Sequence, residues 1–260
     1  MIQKLEFING CYTSSAKKRP LSARIAPQTY FRLKLSMIVI AGGLKAKKNM
    51  YGDSEWIGSS LSTLDLLEKT GINISIKGAD NFINLKGPCV FISNHMSTLE
   101  TFVLPGVIQP YRDVAFIVKK SLLTYPVFGH IMRSRNPVVV SRENPRDDLK
   151  TVLTEGAQRL TKGISVIVFP QGTRSSRLDS SDFNTIGIKL AKNAGVPLVP
   201  VALKTDAWGN GKLIKEFGRM KPGANVYFEF GSPMRISGRG TEEHEAVVAF
   251  IRSRLSEWAD

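Results

Sequence analysis

A histidine and a carboxylate stand five positions apart where an apolar run ends. Residues 90–92 are typical of a buried strand, and Ser97, followed by apolar positions at helical spacing, indicates the start of a helix. His95 is therefore expected in a strand-to-helix loop, where α/β folds place their chemistry. A histidine held there by Glu100 could act as a general base toward a substrate hydroxyl.

Glu100 also fits a purely structural explanation. Ser97 and Glu100 have the spacing of a capping box, in which the glutamate bonds back to the amide at the start of the helix. The motif by itself leaves both explanations open.

A second stretch, residues 169–175, follows another apolar run and contains a glycine and an arginine. Gly172 permits close approach of a ligand to the backbone, and Arg174 offers a planar fork of donors suited to phosphate or carboxylate. An ordinary turn with a solvated arginine is the alternative.

Two further strand ends carry cations. The apolar run 138–140 leads to Arg142, and the run 114–118 leads to Lys119. Lys119 could guide an anionic substrate or simply cap the surface. His95, Arg142 and Arg174 all follow predicted strands, and together they indicate a cationic pocket. In such a pocket the guanidinium groups would hold a phosphate through charge-assisted hydrogen bonds.

These stretches resemble the 1-acyl-glycerol-3-phosphate acyltransferase (lysophospholipid acyltransferase) family. Four motifs carry the resemblance in the family's order: Asn94 to Glu100, Pro126 to Gly129 with Val138 to Arg142, Phe169 to Ser175, and Val196 to Val201. The resemblance covers the chain from about Ile72 to Pro233. Two positions depart from the family pattern, because Glu100 replaces an aspartate and Gln171 replaces a glutamate.

The resemblance implies transfer of a fatty acyl group from an acyl thioester to the free hydroxyl of a lysophospholipid, giving phosphatidic acid from 1-acyl-glycerol-3-phosphate. It implies His95 and Glu100 as the catalytic pair. The implied substrate-binding residues are Arg142, Gln171, Gly172, Thr173, Arg174 and Lys119. Acyl-CoA or acyl-acyl carrier protein would be the co-substrate, with no metal and no other cofactor. The rival hypotheses are an acyltransferase for another lysolipid acceptor, a thioester or lipid hydrolase, and a noncatalytic basic module that binds a membrane or nucleic acid.

The chain of 260 residues carries a formal charge of +14, and much of it is N-terminal. Residues 1–50 contain ten lysines and arginines against Glu6 alone, a net of +9. Apolar residues lie among these cations, which favours an anionic bilayer over nucleic acid as the partner. The uncharged run 35–44 is about half of the roughly 20 residues needed to cross a membrane, so we expect peripheral or monotopic association with its cytoplasmic face.

Strand and helix patterns alternate along the chain and predict one α/β domain, residues 51–260, with a largely parallel or mixed sheet flanked by helices. Residues 1–50 are interpreted as a loose basic arm, 1–27, followed by an interfacial helix that Gly42 and Gly43 end. Residues 205–224 are interpreted as a surface loop or a lid. Cys11 and Cys89 predict no disulfide.

Overall fold

One mixed sheet forms the centre of the computed structural model, which describes residues 4–15, 17–175, 177–179, 182–211 and 218–259. Within these residues the strands are β1 (Tyr12–Thr13), β2 (Asn73–Lys77), β3 (Val90–Ser93), β4 (Val114–Lys119), β5 (Val138–Val140), β6 (Ser165–Val168), β7 (Leu198–Lys204) and β8 (Asn225–Phe230). Their order across the sheet is β1-β2-β8-β7-β3-β6-β4-β5.

Five neighbouring strands, β7, β3, β6, β4 and β5, pair in parallel. β8 runs antiparallel to β7, β2 is parallel to β8, and β1 is antiparallel to β2. The predicted fold class is therefore confirmed, and the sheet is mixed. Because parallel strands end at the same edge, the loops after β3, β4, β5, β6 and β7 share one side of the molecule.

Helices cover both faces of the sheet. In chain order they are α1 (Leu21–Ile25), α2 (Pro27–Lys47), α3 (Asp53–Lys69), α4 (Asp80–Ile83), α5 (Leu99–Ile108), α6 (Phe128–Ser134), α7 (Pro145–Thr151), α8 (Ala157–Thr161), α9 (Ile186–Ala194) and α10 (Thr241–Glu257). A 3₁₀ turn, Lys120–Thr124, precedes α6, and a π-helical segment, Val152–Gly156, joins α7 to α8.

The apolar core lies in two layers separated by the sheet. Phe91 of β3 belongs to the layer that contains α3 and α5, whereas Val90 and Ile92 belong to the layer that contains α9 and α10. Burial on both faces explains why β3 is apolar throughout rather than alternating with polar residues.

Two helix ends show the capping that their residue types favour. Asn144 caps α7 by accepting a hydrogen bond from the Arg146 N–H, with Pro145 at the first helical position. Gly195 ends α9 with φ of 64°, in the left-handed region.

The prediction that Gly42 and Gly43 end the N-terminal helix is wrong, since α2 continues to Lys47. Both glycines are buried in helix packing: a Cβ on Gly42 would lie 3.0 Å from the Tyr51 ring, and one on Gly43 would lie 2.3 Å from a methyl of Val127. Close packing thus outweighs the roughly 1 kcal/mol by which glycine disfavours a helix.

Part of the predicted loose arm is also ordered. β1 extends the sheet beside β2, and the buried carboxylate of Glu68 accepts hydrogen bonds from Tyr12 (2.5 Å) and Ser14 (2.6 Å). A buried carboxylate requires such donors, which fixes residues 12–14 to α3.

The predicted lid falls partly outside the described residues, because 212–217 are not among them. Before and after that gap, Trp208 and Met220 form a β-bridge. Among the helices that the structure describes, none combines the length and apolarity needed to cross a bilayer.

Candidate active site

The loop that carries His95 is attached to β7 through Asn94. The Asn94 side chain donates to the Leu203 carbonyl (2.8 Å) and accepts from the Leu203 N–H (2.9 Å). This buried amide continues the pairing of β3 with β7 beyond the last residue of β3. It fixes the point from which His95 projects.

The backbone of His95 is held on both sides by the 169–175 loop. The His95 N–H donates to Oε1 of Gln171 (2.8 Å), and the Ser175 N–H donates to the His95 carbonyl (2.9 Å). Gln171 was predicted to bind substrate, and its side chain is only 4% exposed. In this structure its oxygen positions the His95 loop.

The predicted histidine and carboxylate are in direct contact. His95 Nδ1 lies 2.8 Å from Oε1 of Glu100, which also accepts the backbone N–H groups of Met96 (2.8 Å) and Ser97 (2.9 Å). Glu100 therefore binds both the imidazole and the loop backbone, so the two explanations left open by the sequence hold together. Helix α5 begins at Leu99, with Thr98 as its N-cap, two residues later than predicted.

The second oxygen of Glu100 is bound by two hydroxyl groups. Oε2 accepts from Thr205 Oγ1 (2.6 Å) and from Ser97 Oγ (2.9 Å). Complete burial by itself would raise the pKa of Glu100, but the hydrogen bonds from His95, Thr205 and the Ser97 N–H, with the charge of His95, lower it below its ordinary value of 4.5. The carboxylate is accordingly ionised at neutral pH.

The contact with Glu100 assigns the tautomer of His95. An ionised carboxylate only accepts hydrogen bonds, so in the neutral imidazole Nδ1 carries the proton and Nε2 has the free electron pair. The ring stacks on Phe169, with centroids 4.3 Å apart and planes 18° apart, and its side chain is 12% exposed. Because Nδ1 faces a fully buried group, the Nε2 edge is the one available to a substrate.

The Arg142 side chain reaches the 169–175 loop, which also binds the His95 backbone. The carboxylate of Asp148 accepts the backbone N–H groups of Ser141 (2.8 Å) and Arg142 (2.7 Å), which supports a φ of 62° at Arg142. The Arg142 guanidinium donates to the Gly172 carbonyl. The loops after β3, β5 and β6 thus converge through direct contacts.

The segment between Gln171 and Ser175, the two residues that bind the His95 backbone, is exposed to solvent at Gly172 and Thr173. A Cβ on Gly172 would meet no atom of the described residues within 4 Å. Arg174 is partly buried and directly precedes Ser175, whose N–H binds the His95 carbonyl. Open space thus lies beside the Arg142 contact, where a substrate phosphate could enter.

Lys119 lies at the same edge of the sheet but apart from this group. It ends β4, pairs in register with Val140 of β5, and has an exposed side chain. Among the described residues, no hydrogen bond or ion pair joins it to His95 or Arg142.

An aromatic series connects the imidazole to an apolar groove. Phe169 stacks on Phe116 at 6.2 Å, and Phe116 meets Trp56 at 6.1 Å. Trp56 lines a groove among α2, α3, α5 and α6, together with Ile38, Val39, Tyr51, Phe102, Phe128, Ile131 and Met132.

Sequence reasoning missed the parts played by Asn94, Ser97 and Thr205 in this site. Asn94 and Ser97 lie inside the recognised motif, but their partners are on β7 and just beyond it. Thr205 is the first residue after β7. Because His95, Arg142 and Arg174 also follow strand ends, this position is a signal in the sequence that could have identified Thr205.

The chain matches the family model described as Acyltransferase over residues 73–204. A relative from Pseudomonas aeruginosa, named 1-acyl-sn-glycerol-3-phosphate acyltransferase, is 31% identical over 72% of this chain and 68% of its own length. A relative of the same name from Escherichia coli is 27% identical over 66% of each chain. A chloroplastic relative from Brassica napus, also named as this acyltransferase, is 34% identical over 54% of this chain but only 38% of its own length.

The fold has a solved counterpart. The crystal structure of the 1-acyl-sn-glycerophosphate acyltransferase from Thermotoga maritima covers 88% of this chain, and 93% of that chain is covered in turn. The TM-score is 0.67 at 21% identity, which supports the fold. With the family model spanning half of the sequence and a relative at 31% identity, the resemblance predicted from the four motifs is confirmed, and this chain belongs to the acyltransferase family.

Proposed function

We propose that this acyltransferase moves a fatty acyl group from an acyl thioester to the free hydroxyl of 1-acyl-glycerol-3-phosphate, forming phosphatidic acid. The observation that carries the proposal is the His95–Glu100 pair beside the loop that Arg142 reaches. The names of the relatives support the same acceptor.

In the first step Nε2 of His95 takes the proton of the acceptor hydroxyl while the hydroxyl oxygen attacks the thioester carbonyl carbon. General-base assistance of this kind typically contributes about 10²–10⁴ in rate. Glu100 holds Nδ1–H and stabilises the imidazolium that forms. The N–H groups of residues 172–174 are candidates to stabilise the oxyanion.

In the second step the tetrahedral intermediate collapses, the carbon–sulfur bond breaks, and His95 returns the proton to the departing thiolate. The products are an ester and a free thiol. No acyl-enzyme is needed, and no cofactor besides the thioester takes part.

Arg142 and Arg174 are proposed to hold the phosphate of the acceptor. Gln171 is neutral at the position where the family motif has a carboxylate, so this side chain adds no negative charge beside the two guanidinium groups. Lys119, exposed at the same edge, would add to the positive potential that attracts an anionic substrate.

Helix α2 is proposed to place the active site at a membrane. Leu33, Met37, Ile40 and Leu44 form an exposed stripe on α2, each 50–62% exposed, while Phe31 and Leu35 on the other side are buried. Ile38 and Val39 of the same helix line the groove. An exposed apolar stripe with lysines beside it is suited to an anionic bilayer surface.

The test of function is formation of phosphatidic acid by the purified enzyme from lysophosphatidic acid and acyl-CoA, with acyl-acyl carrier protein as the second donor. We expect transfer to lysophosphatidic acid to exceed transfer to monoacylglycerol by at least about tenfold, because hydrogen bonds from guanidinium groups to phosphate are charge-assisted.

Other outcomes point elsewhere. Free fatty acid released at the same rate with and without acceptor would mean hydrolysis. Equal rates with phosphate-free acceptors would contradict the role of Arg142 and Arg174, and preference for another lysolipid would identify a different acceptor.

Replacing Met37 and Ile40 together by glutamine is expected to lower binding to anionic vesicles at least about tenfold, since each buried apolar side chain contributes about 1.5–3 kcal/mol. Vesicle co-sedimentation measures it. The matched control replaces Ala246 and Ala249, exposed on α10, by glutamine. Binding unchanged in the α2 variant would contradict the proposed membrane surface.

A further inference from the structure

We propose that Thr205 is a positioning residue of the reaction, acting through Glu100: its hydroxyl fixes the carboxylate that orients His95. The inference rests on the proposed function for its kinetic consequences. Thr205 lies outside the four motifs, as the first residue after β7.

Among the described residues, the shortest hydrogen bond of the Thr205 hydroxyl is the one that it donates to Glu100. Thr205 Oγ1 lies 2.6 Å from Oε2 of Glu100, the shorter of the two hydroxyl contacts to that oxygen. Ser97 Oγ has one proton and three oxygens within reach, since it also lies 2.9 Å from the Thr205 carbonyl and 3.1 Å from Thr205 Oγ1. The Thr205 hydroxyl is therefore the donor on which Oε2 depends.

The two oxygens of Glu100 have separate partners. Oε1 accepts from His95 Nδ1 and two backbone N–H groups, whereas the donors to Oε2 among the described residues are the hydroxyls of Thr205 and Ser97. Fixing Oε2 prevents the carboxylate from rotating about its last bond, so Oε1 stays in line with the imidazole. Thr205, Ser97 and Glu100 are each 0% exposed, so within the fold no solvent replaces a lost hydroxyl.

The strand order explains why Thr205 can reach Glu100. β7 is one of the two parallel neighbours of β3, and Asn94 and Ser97 already bind Leu203 and Thr205. The end of β7 thus supports the histidine loop at three points. Glutamate is one methylene longer than the aspartate of the family motif, and here its far oxygen reaches Thr205 on this neighbouring strand end.

The experiment compares Thr205→Val, Thr205→Ser and Glu100→Gln with the double variant Thr205→Val/Glu100→Gln. We expect Thr205→Val to lower kcat roughly tenfold with KM values for both substrates within about twofold, because the Thr205 hydroxyl is bound to Glu100 and Ser97 rather than to a residue proposed to hold substrate. Thr205→Ser, which keeps the hydroxyl, should restore at least about half of kcat. In the Glu100→Gln background, Thr205→Val should cost no further kcat.

The control is Thr63→Val, which removes another fully buried hydroxyl, on α3, and should leave kcat unchanged. Thr205→Ala replaces the valine variant if that variant does not fold, as judged by circular dichroism and thermal melting. A full loss of kcat persisting in the Glu100→Gln background, a rise in KM alone, or a serine variant as impaired as the valine variant would each overturn the inference.

A second readout is independent of turnover. The Nδ1 proton of His95, assigned by its absence in His95→Gln, should give a low-field NMR resonance that moves upfield in Thr205→Val and not in Thr63→Val. If the wild-type enzyme transfers no acyl group to any lysolipid, the proposed function fails, and this resonance alone decides the role of Thr205. An unchanged resonance would overturn it.

Discussion

His95→Ala should lower kcat for acyl transfer by about 10³-fold while leaving the protein folded. The acceptor hydroxyl has a pKa far above neutrality and needs a base in the transition state, a contribution of about 10²–10⁴. Nε2 is the group suited to that role, because Glu100 fixes the proton on Nδ1. The side chain packs on Phe169 but makes no cross-sheet hydrogen bond among the described residues, so we expect a loss of stability below about 1.5 kcal/mol.

The measurement is steady-state production of phosphatidic acid with saturating donor, and unfolding in urea checks the fold. His130→Ala and His244→Ala are matched controls, since each removes another imidazole outside the site and should leave kcat within about twofold. Turnover of His95→Ala close to that of the wild type would remove the general base from the mechanism.

Glu100→Gln should impair both activity and stability. The glutamine amide cannot accept all five hydrogen bonds that the Glu100 carboxylate accepts, because one of its two terminal groups is an NH₂ donor that would face other donors. We expect a loss of kcat of roughly 10²–10³-fold, because the imidazole loses its orientation and the countercharge for its protonated form. Hydrogen bonds to a buried charge are worth about 1.5–3 kcal/mol each, so a fall of about 2–4 kcal/mol in the free energy of unfolding is expected.

The lowered pKa of Glu100 predicts how the stability of the protein changes with pH. The pKa of Glu100 is lower in the folded protein than its ordinary value of 4.5, so ionised Glu100 stabilises the fold above pH 4.5, and this stabilisation is lost as the pH falls through the folded pKa. Unfolding in urea from about pH 7 down to pH 3 should therefore show a smaller acid loss in Glu100→Gln than in the wild type.

Glu68→Gln is the matched control, because Glu68 is also a buried glutamate with hydroxyl donors but lies on α3, away from the site. It should lose stability and retain kcat. Normal turnover in Glu100→Gln together with a lower melting temperature would mean that Glu100 only caps the loop.

The sequence by itself determined the local elements and the edge of the sheet at which they deliver chemistry. Apolar runs buried on both faces specify strands, and a run of parallel strands brings their ends to one edge, so His95, Arg142 and Arg174 could be assigned to a common side without coordinates. The pairing of His95 with Glu100 also follows from sequence, because a spacing of five residues across the loop and the first turn of α5 keeps the two side chains within reach.

Only the tertiary structure decided which strand ends are neighbours. The order β7-β3-β6 places Thr205 and Gln171 on opposite sides of the His95 loop, and these contacts join residues 76 to 105 positions apart. The continuation of α2 through Gly42 and Gly43 was decided in the same way, by side chains from Tyr51 and Val127 that fill the space where a Cβ would stand. Local helix and strand propensities cannot predict such contacts, because the free energy that the contacts contribute arises only when distant segments pack together.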